Sequence, residues 1–315
     1  MRPSLRHVTK SLRPARLSCR TSAAATQAIP DLQPSHHPST RKLSTTPTRQ
    51  HTPSSSSSVN ETEVSHFSAL ASSWWDPYGP SKPLHLMNPL RHDFIQTCLS
   101  SSNPPQKTTN LRYLDVGCGG GIFAESAARL PSTASVTAID PSPAILAVAR
   151  AHARRDPSLV CGGGGSGKLV YLNETIESLA LPEEAAPGEE EQRYDVVSLF
   201  EVVEHVDYPA AFLDRVGEFV RPGGWLVLST IARTWTSWVT TNLVAEDILG
   251  VVPKGTHDWA KYVNEAELRE YFAQKGGMWG TPTVRGVVYV PGLGWREVRG
   301  SEKVGNYFFG VQRVG

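Results

Sequence analysis

Short runs of consecutive apolar residues recur along the chain, separated by stretches long enough for a helix, and this alternation restricts the fold more than any other feature. The runs are Tyr113–Val116, Val136–Asp140, Leu169–Leu172, Asp195–Phe200 and Trp225–Thr230. Helical patterns fall near 122–130, 143–154, 208–220 and 265–274. A strand that is apolar at successive positions must be covered on both faces, and strands joined through helices run in the same direction. The expected fold is therefore α/β, a mostly parallel sheet with helices on both faces. Two later runs, Val287–Val290 and Tyr307–Val311, lie close enough to add a C-terminal antiparallel hairpin.

The chain before this pattern is different in kind. Residues 1–43 carry Arg2, Arg6, Lys10, Arg13, Arg16, Arg20, Arg41 and Lys42 against one acid, Asp31, among many Ser, Thr and Ala. That is the composition of an organelle transit peptide, without the apolar core of a secretory signal, and its arginines favour the mitochondrion. Residues 44–63, with the serine run Ser54–Ser58, read as a disordered linker, so that folding starts near Val64. Without the first 43 residues, 23 basic side chains face 29 acidic ones, a net charge of −6. A body of that sign is a poor binder of phosphate backbones, which argues against a nucleic-acid partner. Cys19, Cys98, Cys118 and Cys161 form no CxxC pair, so neither a zinc ribbon nor a disulfide framework is indicated. No stretch reaches the roughly 18 continuous apolar residues of a membrane span. The segments 161–167 and 182–192, glycine-rich and acidic respectively, read as surface loops.

Chemistry gathers at the carboxyl ends of the strands, where open parallel sheets bind ligands. Between the first strand and its helix lies Leu114-Asp-Val-Gly-Cys-Gly-Gly-Gly121, and the second strand ends in Asp140, able to accept hydrogen bonds from both hydroxyls of a ribose. A nicotinamide site has the same layout. Two details separate them: Ile122 stands where the dinucleotide fingerprint has its third glycine, and Asp115 would repel a pyrophosphate. S-adenosylmethionine carries an ammonium and a sulfonium instead, which a carboxylate favours.

This pattern resembles the class I S-adenosylmethionine-dependent methyltransferases, with their Rossmann-like sheet of five parallel strands and a reversed final hairpin. The resemblance narrows on four further stretches: Trp74–Arg91 (WWDPYGPSKPLHLMNPLR), Asp115–Ile122, Glu201–His205 (EVVEH) and Val252–Asp258 (VPKGTHD). Together they are similar to the ubiquinone-biosynthesis O-methyltransferases, over about residues 66–315. The resemblance implies that Arg91 clamps the cofactor carboxylate, a task suited to a planar bidentate donor. It further implies that Gly117 meets the methionine portion and Asp140 the ribose, with Asp115 and Gly119 in the same pocket. Phe200 is either an adenine contact or an ordinary core aromatic.

Glu201, Glu204 and His205 follow the fourth strand at spacings i, i+3 and i+4, which would set all three on one face of a turn or helix looking into the crevice. Two acids in a first turn are also what a helix dipole prefers. The resemblance implies that the three ligate a divalent metal, Mg²⁺ by family and equally Zn²⁺, Mn²⁺ or Fe²⁺ by donor chemistry, to which a catechol could chelate. The general base is not legible; His205, His257 and Lys254 are the candidates.

Between the fifth strand and the final hairpin, 231–264 reads as a helical insertion. Trp235, Trp238, Val239 and Leu243 form one stripe there, which serves either core packing or an interfacial helix admitting a prenyl-tailed substrate from the bilayer. Three departures from the family are plain: the loop 161–167, the loop 182–192 and the looser segment Tyr289–Trp295. The resemblance implies a mitochondrial enzyme, peripheral on the matrix side of the inner membrane. It would act on a polyprenylated dihydroxybenzoate and a demethylated ubiquinol, alongside other proteins of ubiquinone synthesis. The alternatives are another small-molecule O-methyltransferase of this fold and a non-catalytic assembly subunit.

Overall fold

Every residue of Tyr194–Phe200 is buried, as it must be in a strand with neighbours on both edges and helices on both faces. The computed structural model describes residues 57–69, 71–102, 106–160, 167–182, 192–233, 263–290 and 292–315. Eight strands form one sheet: β1 (Leu111–Val116), β2 (Thr133–Ile139), β3 (Leu169–Leu172), β4 (Tyr194–Phe200), β5 (Val220–Ile231), β6 (Thr283–Val290), β7 (Gly294–Glu297) and β8 (Asn306–Gln312). Their order is β3-β2-β1-β4-β5-β8-β6-β7. The first five pair in parallel, and β8 runs antiparallel between β5 and β6. The α/β expectation and the reversed C-terminal pair both hold, and β7 extends the antiparallel edge beyond them.

The helices are α1 (Glu61–Ala69), α2 (Lys82–Ser100), α3 (Ile122–Arg129), α4 (Pro143–Ala153), α5 (Pro157–Val160), α6 (Pro209–Glu218) and α7 (Glu265–Ala273). Strand alternation assigns the two cores. Tyr113, Val196 and Phe308 point to one face, against Phe94 and Ile95 of α2, Phe123 of α3 and Leu146 of α4. Their neighbours Leu114, Val197 and Phe309 point to the other, against Phe212 and Val216 of α6 and Leu268 and Phe272 of α7. Each such fully buried side chain stabilises the fold by roughly 1.5–3 kcal/mol relative to an exposed one.

Several elements differ from the sequence reading, three of them the most. The long α2 was not foreseen, because Pro83 and Pro89 argue against a helix; Pro83 lies in the first turn, where its missing N–H costs nothing, and Pro89 is accommodated inside. β5 begins at Val220, ahead of the expected Trp225, since Pro222 and Gly223 are taken up at a register shift. The folded chain also starts before Val64. Val59 bridges Val206, Ser58 accepts from the Asp207 amide, and α1 begins at Glu61, so Ser58 onward already packs on the folded body. The two surface loops, except for Gly167, Pro182 and Gln192, and the insertion beyond Arg233 up to Lys261 and Tyr262, lie outside the described residues. Among the described residues no helix is long and apolar enough to cross a membrane.

Candidate active site

The turn after β1 is tied to the end of β2, with the amides of Gly117 and Cys118 both donating to the Ile139 carbonyl at 2.9 and 3.0 Å. Gly117 has φ +69°, and a Cβ there would stand 2.7 Å from a methyl of Val202, so both conformation and space demand glycine. From this turn Gly119 donates its amide to Asp140 Oδ2 at 3.0 Å, while Ser142 donates to Oδ1 at 2.9 Å. Burial raises the Asp140 pKa, against these two amides. Ser142 also accepts from the Ile145 amide, capping α4 with Pro143 in its first turn.

Asp115 lies one strand over, buried, and accepts a 2.7 Å hydrogen bond from Ser198 Oγ. Burial pushes its pKa up to about 7, opposed by Ser198 and Arg91 and assisted by Asp140. Arg91, from α2, is buried with its guanidinium 4.7 Å over the Phe200 ring. Burial lowers its pKa, while Glu201 and Asp115 hold the charge in place. Its Nε finds no hydrogen-bond partner among the described residues. A buried cation with a spare donor is unfavourable unless an anionic ligand completes it. The structure thus brings together Arg91, Asp115, Gly117, Gly119 and Asp140 at the carboxyl edge of β1, β2 and β4. Phe200 joins them, packed edge-on against Phe123 at 4.7 Å and beneath Arg91, which makes it a wall of the Arg91 pocket.

Beyond Phe200 the geometry departs from the helical face expected for the next three residues. Glu201 is in the left-handed region, φ +59°, and only Val203–His205 form a helical turn, of the 3₁₀ kind. Glu201 is held by its own amide on the Ser229 carbonyl at 3.1 Å and accepts from Ser229 Oγ at 2.6 Å. Glu204 is buried and accepts from Thr230 Oγ1 at 2.9 Å; burial, then Glu201, lifts its pKa to about 7. His205 turns instead to Glu63 of α1, Nδ1 to Oε2 3.2 Å, with Phe67 edge-on at 4.9 Å. Burial works against charge on His205, but Glu63, with Glu204 and Glu201, holds its pKa above the ordinary value.

Glu201, Glu204 and His205 feel one another's charge, but among the described residues no group of three His, Cys, Asp or Glu is gathered so as to hold a metal ion. The single helical face expected for them is not formed, because the left-handed Glu201 breaks the periodicity on which i, i+3, i+4 depends. As the side chains stand, His205 is turned to Glu63 instead. His257 and Lys254 lie outside the described residues, as do Trp235 and Trp238. The sequence reading missed Glu63, 142 residues from its partner and carried on a helix with no motif of its own.

Comparison with known proteins covers the same ground. A family described as "Methyltransferase domain" matches residues 85–276. The chain is 37% identical over 297 residues to the ubiquinone biosynthesis O-methyltransferase, mitochondrial, of Candida albicans, covering 82% of this chain and 86% of that one. The protein of the same description in Schizosaccharomyces pombe is 40% identical over 261 residues, covering 81% and 87%. That of Saccharomyces cerevisiae is 33% identical over 297 residues, covering 82% and 89%.

Proposed function

Given that the chain belongs to the ubiquinone biosynthesis O-methyltransferases, we propose that its buried Arg91 pocket receives the methionine end of S-adenosylmethionine and aligns its methyl group with a catechol oxygen. The chain is an S-adenosylmethionine-dependent O-methyltransferase of ubiquinone biosynthesis. The observation that carries the finer reading is Arg91, buried, its Nε without a hydrogen-bond partner among the described residues, its guanidinium over Phe200 and its charge favoured by Glu201 and Asp115.

In this reading the cofactor carboxylate meets Arg91, its ammonium faces Asp115, the Gly117–Gly119 turn lets its backbone approach closely, and Asp140 accepts from the ribose. The acceptor is a polyprenylated dihydroxybenzoate, and at a later step a demethylated ubiquinol. A phenolic oxygen attacks the methyl carbon in line, the carbon–sulfur bond breaks, and the electron pair leaves on sulfur as the neutral thioether of S-adenosylhomocysteine. The phenolic proton passes to a base, for which His205, His257 and Lys254 are the candidates. The protein's share is alignment and exclusion of water, worth as much as several powers of ten in rate.

The divalent metal that the resemblance attaches to Glu201, Glu204 and His205 enters no step here. The reading also includes a cleaved mitochondrial leader over 1–43 and a short linker after it. It includes peripheral attachment to the matrix face of the inner membrane, an insertion over 231–264 that faces substrate or bilayer, and company with other enzymes of the pathway. The mitochondrial names of the three fungal relatives support the compartment.

The test is turnover of the purified protein with S-adenosylmethionine and a short-chain prenyl catechol, with and without chelator. One methyl ether per S-adenosylhomocysteine is expected, with Arg91→Ala raising KM for the cofactor about a hundredfold. S-adenosylhomocysteine binding without any methyl ether would replace this reading with that of a non-catalytic subunit. Loss of turnover in chelator, restored by Mg²⁺, would reinstate the metal.

A further inference from the structure

The stretch Trp74–Arg91 has so far contributed only its last residue, yet its two tryptophans lie against the cofactor turn. A Cβ on Gly119 would stand 2.4 Å from the Trp74 ring, and one on Gly120 would stand 2.1 Å from it, so the indole lies directly on that backbone. Trp75 donates Nε1–H to the Gly120 carbonyl at 2.8 Å. Its ring stacks on His152 of α4, centroids 3.4 Å apart and planes 5° from parallel. His152 Nδ1 lies 2.9 Å from Glu125 Oε1, and Glu125, fully buried in α3, also accepts from Arg129 at 2.9 Å.

The remainder of the stretch maintains the tryptophan pair. His85 Nε2 is 3.0 Å from the Trp74 carbonyl, and the Asp76 carboxylate accepts from the Tyr78 amide at 2.9 Å to close the turn between them. Farther on, Asn88 donates to Ser126 Oγ at 2.8 Å, and His92 Nε2 sits 2.7 Å from the same atom, fixing α2 to α3 on either side of Arg91.

We propose that Trp75, braced by His152 and Glu125, is a positioning residue for cofactor binding, holding the Gly119–Gly120 turn so that the Gly119 amide orients the Asp140 carboxylate. The chain of contact is continuous: Glu125 to His152, His152 to Trp75, Trp75 to Gly120, and Gly119 to Asp140 at 3.0 Å. A glycine turn has little side-chain packing of its own, so its conformation is selected by what lies on it. The brace acts on the ribose end of the cofactor. This rests on the reading of the turn as the S-adenosylmethionine site.

The experiment uses the full chain and compares Trp75→Phe, which keeps an aromatic ring against His152 but lacks the donor, with Trp75→Ala and Glu125→Gln. S-adenosylhomocysteine affinity is measured by calorimetry, the two KM values by turnover, and folding by the thermal midpoint. Trp75→Phe is expected to weaken S-adenosylhomocysteine roughly fivefold, as for loss of one neutral hydrogen bond. It should raise KM for S-adenosylmethionine in step, with KM for the catechol unchanged. Glu125→Gln, two contacts further back, should move the same two quantities by less, and Trp75→Ala by more. Parent-like S-adenosylhomocysteine affinity in a folded Trp75→Phe, or equal rises in both KM values, would overturn the inference and leave the cofactor reading standing. If Trp75→Phe does not fold, a Glu125→Gln with parental affinity overturns it equally. A parent that binds no S-adenosylhomocysteine would overturn both.

Discussion

Asp195 and Asp115 sit at opposite edges of the same two paired strands and are buried alike, but they are treated in opposite ways. Asp195, at the amino edge of β4, accepts from the Arg112 amide at 2.7 Å and is paired with Lys107 at 3.0 Å and Arg221 at 2.5 Å. Asp115, opposite Ser198 near the carboxyl edge, has a hydroxyl and the partly satisfied Arg91 for company, with Asp140 adding like charge. One edge of the sheet has its buried charge neutralised by the protein; the other keeps acids and a cation short of partners. The difference marks which edge is built for stability and which is kept incomplete for a ligand.

The largest effect expected from breaking this contrast lies at the amino edge. Asp195→Ala strips the counter-charge from Arg221 and the acceptor from the Arg112 amide, and should cost about 3–5 kcal/mol, as for a broken buried pair. Denaturant melts would show it, and S-adenosylhomocysteine affinity per folded molecule should not change. A weakened affinity would mean that the two edges are coupled and the contrast is wrong.

Next in size is a pH effect at the carboxyl edge. With its folded pKa near 7 and an unfolded value near 3.8, Asp115 holds its proton more firmly in the folded state. Its contribution to stability is complete below about pH 4 and is lost as pH rises through 7, a span worth on the order of 3–4 kcal/mol. Asp115→Asn, neutral throughout, should flatten that decline, and Glu204 should leave a residual slope of the same sign. Parent and variant with equal slopes between pH 5 and pH 8 would show that Asp115 is not the strained acid.

The strands were legible because short apolar runs spaced by helical stretches read as a parallel sheet, and β3 matches residue for residue although Val170 is exposed on this edge strand. So were the places of the glycine turn, Asp115 and Asp140, which follow from position at strand ends. Arg91 needed the resemblance, because a lone arginine beside two prolines gives no sign that it will be buried. What the sequence hid was long-range or broke a period. Glu63 reaches His205 across 142 residues, Trp74 and Trp75 lie on a glycine turn 45 residues on, and the left-handed Glu201 undoes the helical spacing of its neighbours.

Glu201 carries the smallest and most discriminating stability effect. A left-handed residue with a Cβ costs roughly 1–2 kcal/mol, and such strain persists only where the surroundings enforce it. Here the Ser229 carbonyl and hydroxyl do so from β5. The same twist carries the Glu201 carboxylate close enough to Arg91 for its charge to be felt there. Glu201→Gly removes the strain together with the side chain, so the thermal midpoint should rise by an amount equivalent to about 1 kcal/mol, less the lost Ser229 hydrogen bond. Methyl transfer should fall about a hundredfold if the carboxylate serves the reaction. Glu201→Ala keeps the strain and loses the carboxylate, so it should be the less stable of the two variants and equally slow. A Gly variant that is more stable and as fast as the parent would show that neither the strain nor the carboxylate serves the reaction, and the contrast between the two edges would then rest on Arg91 and Asp115.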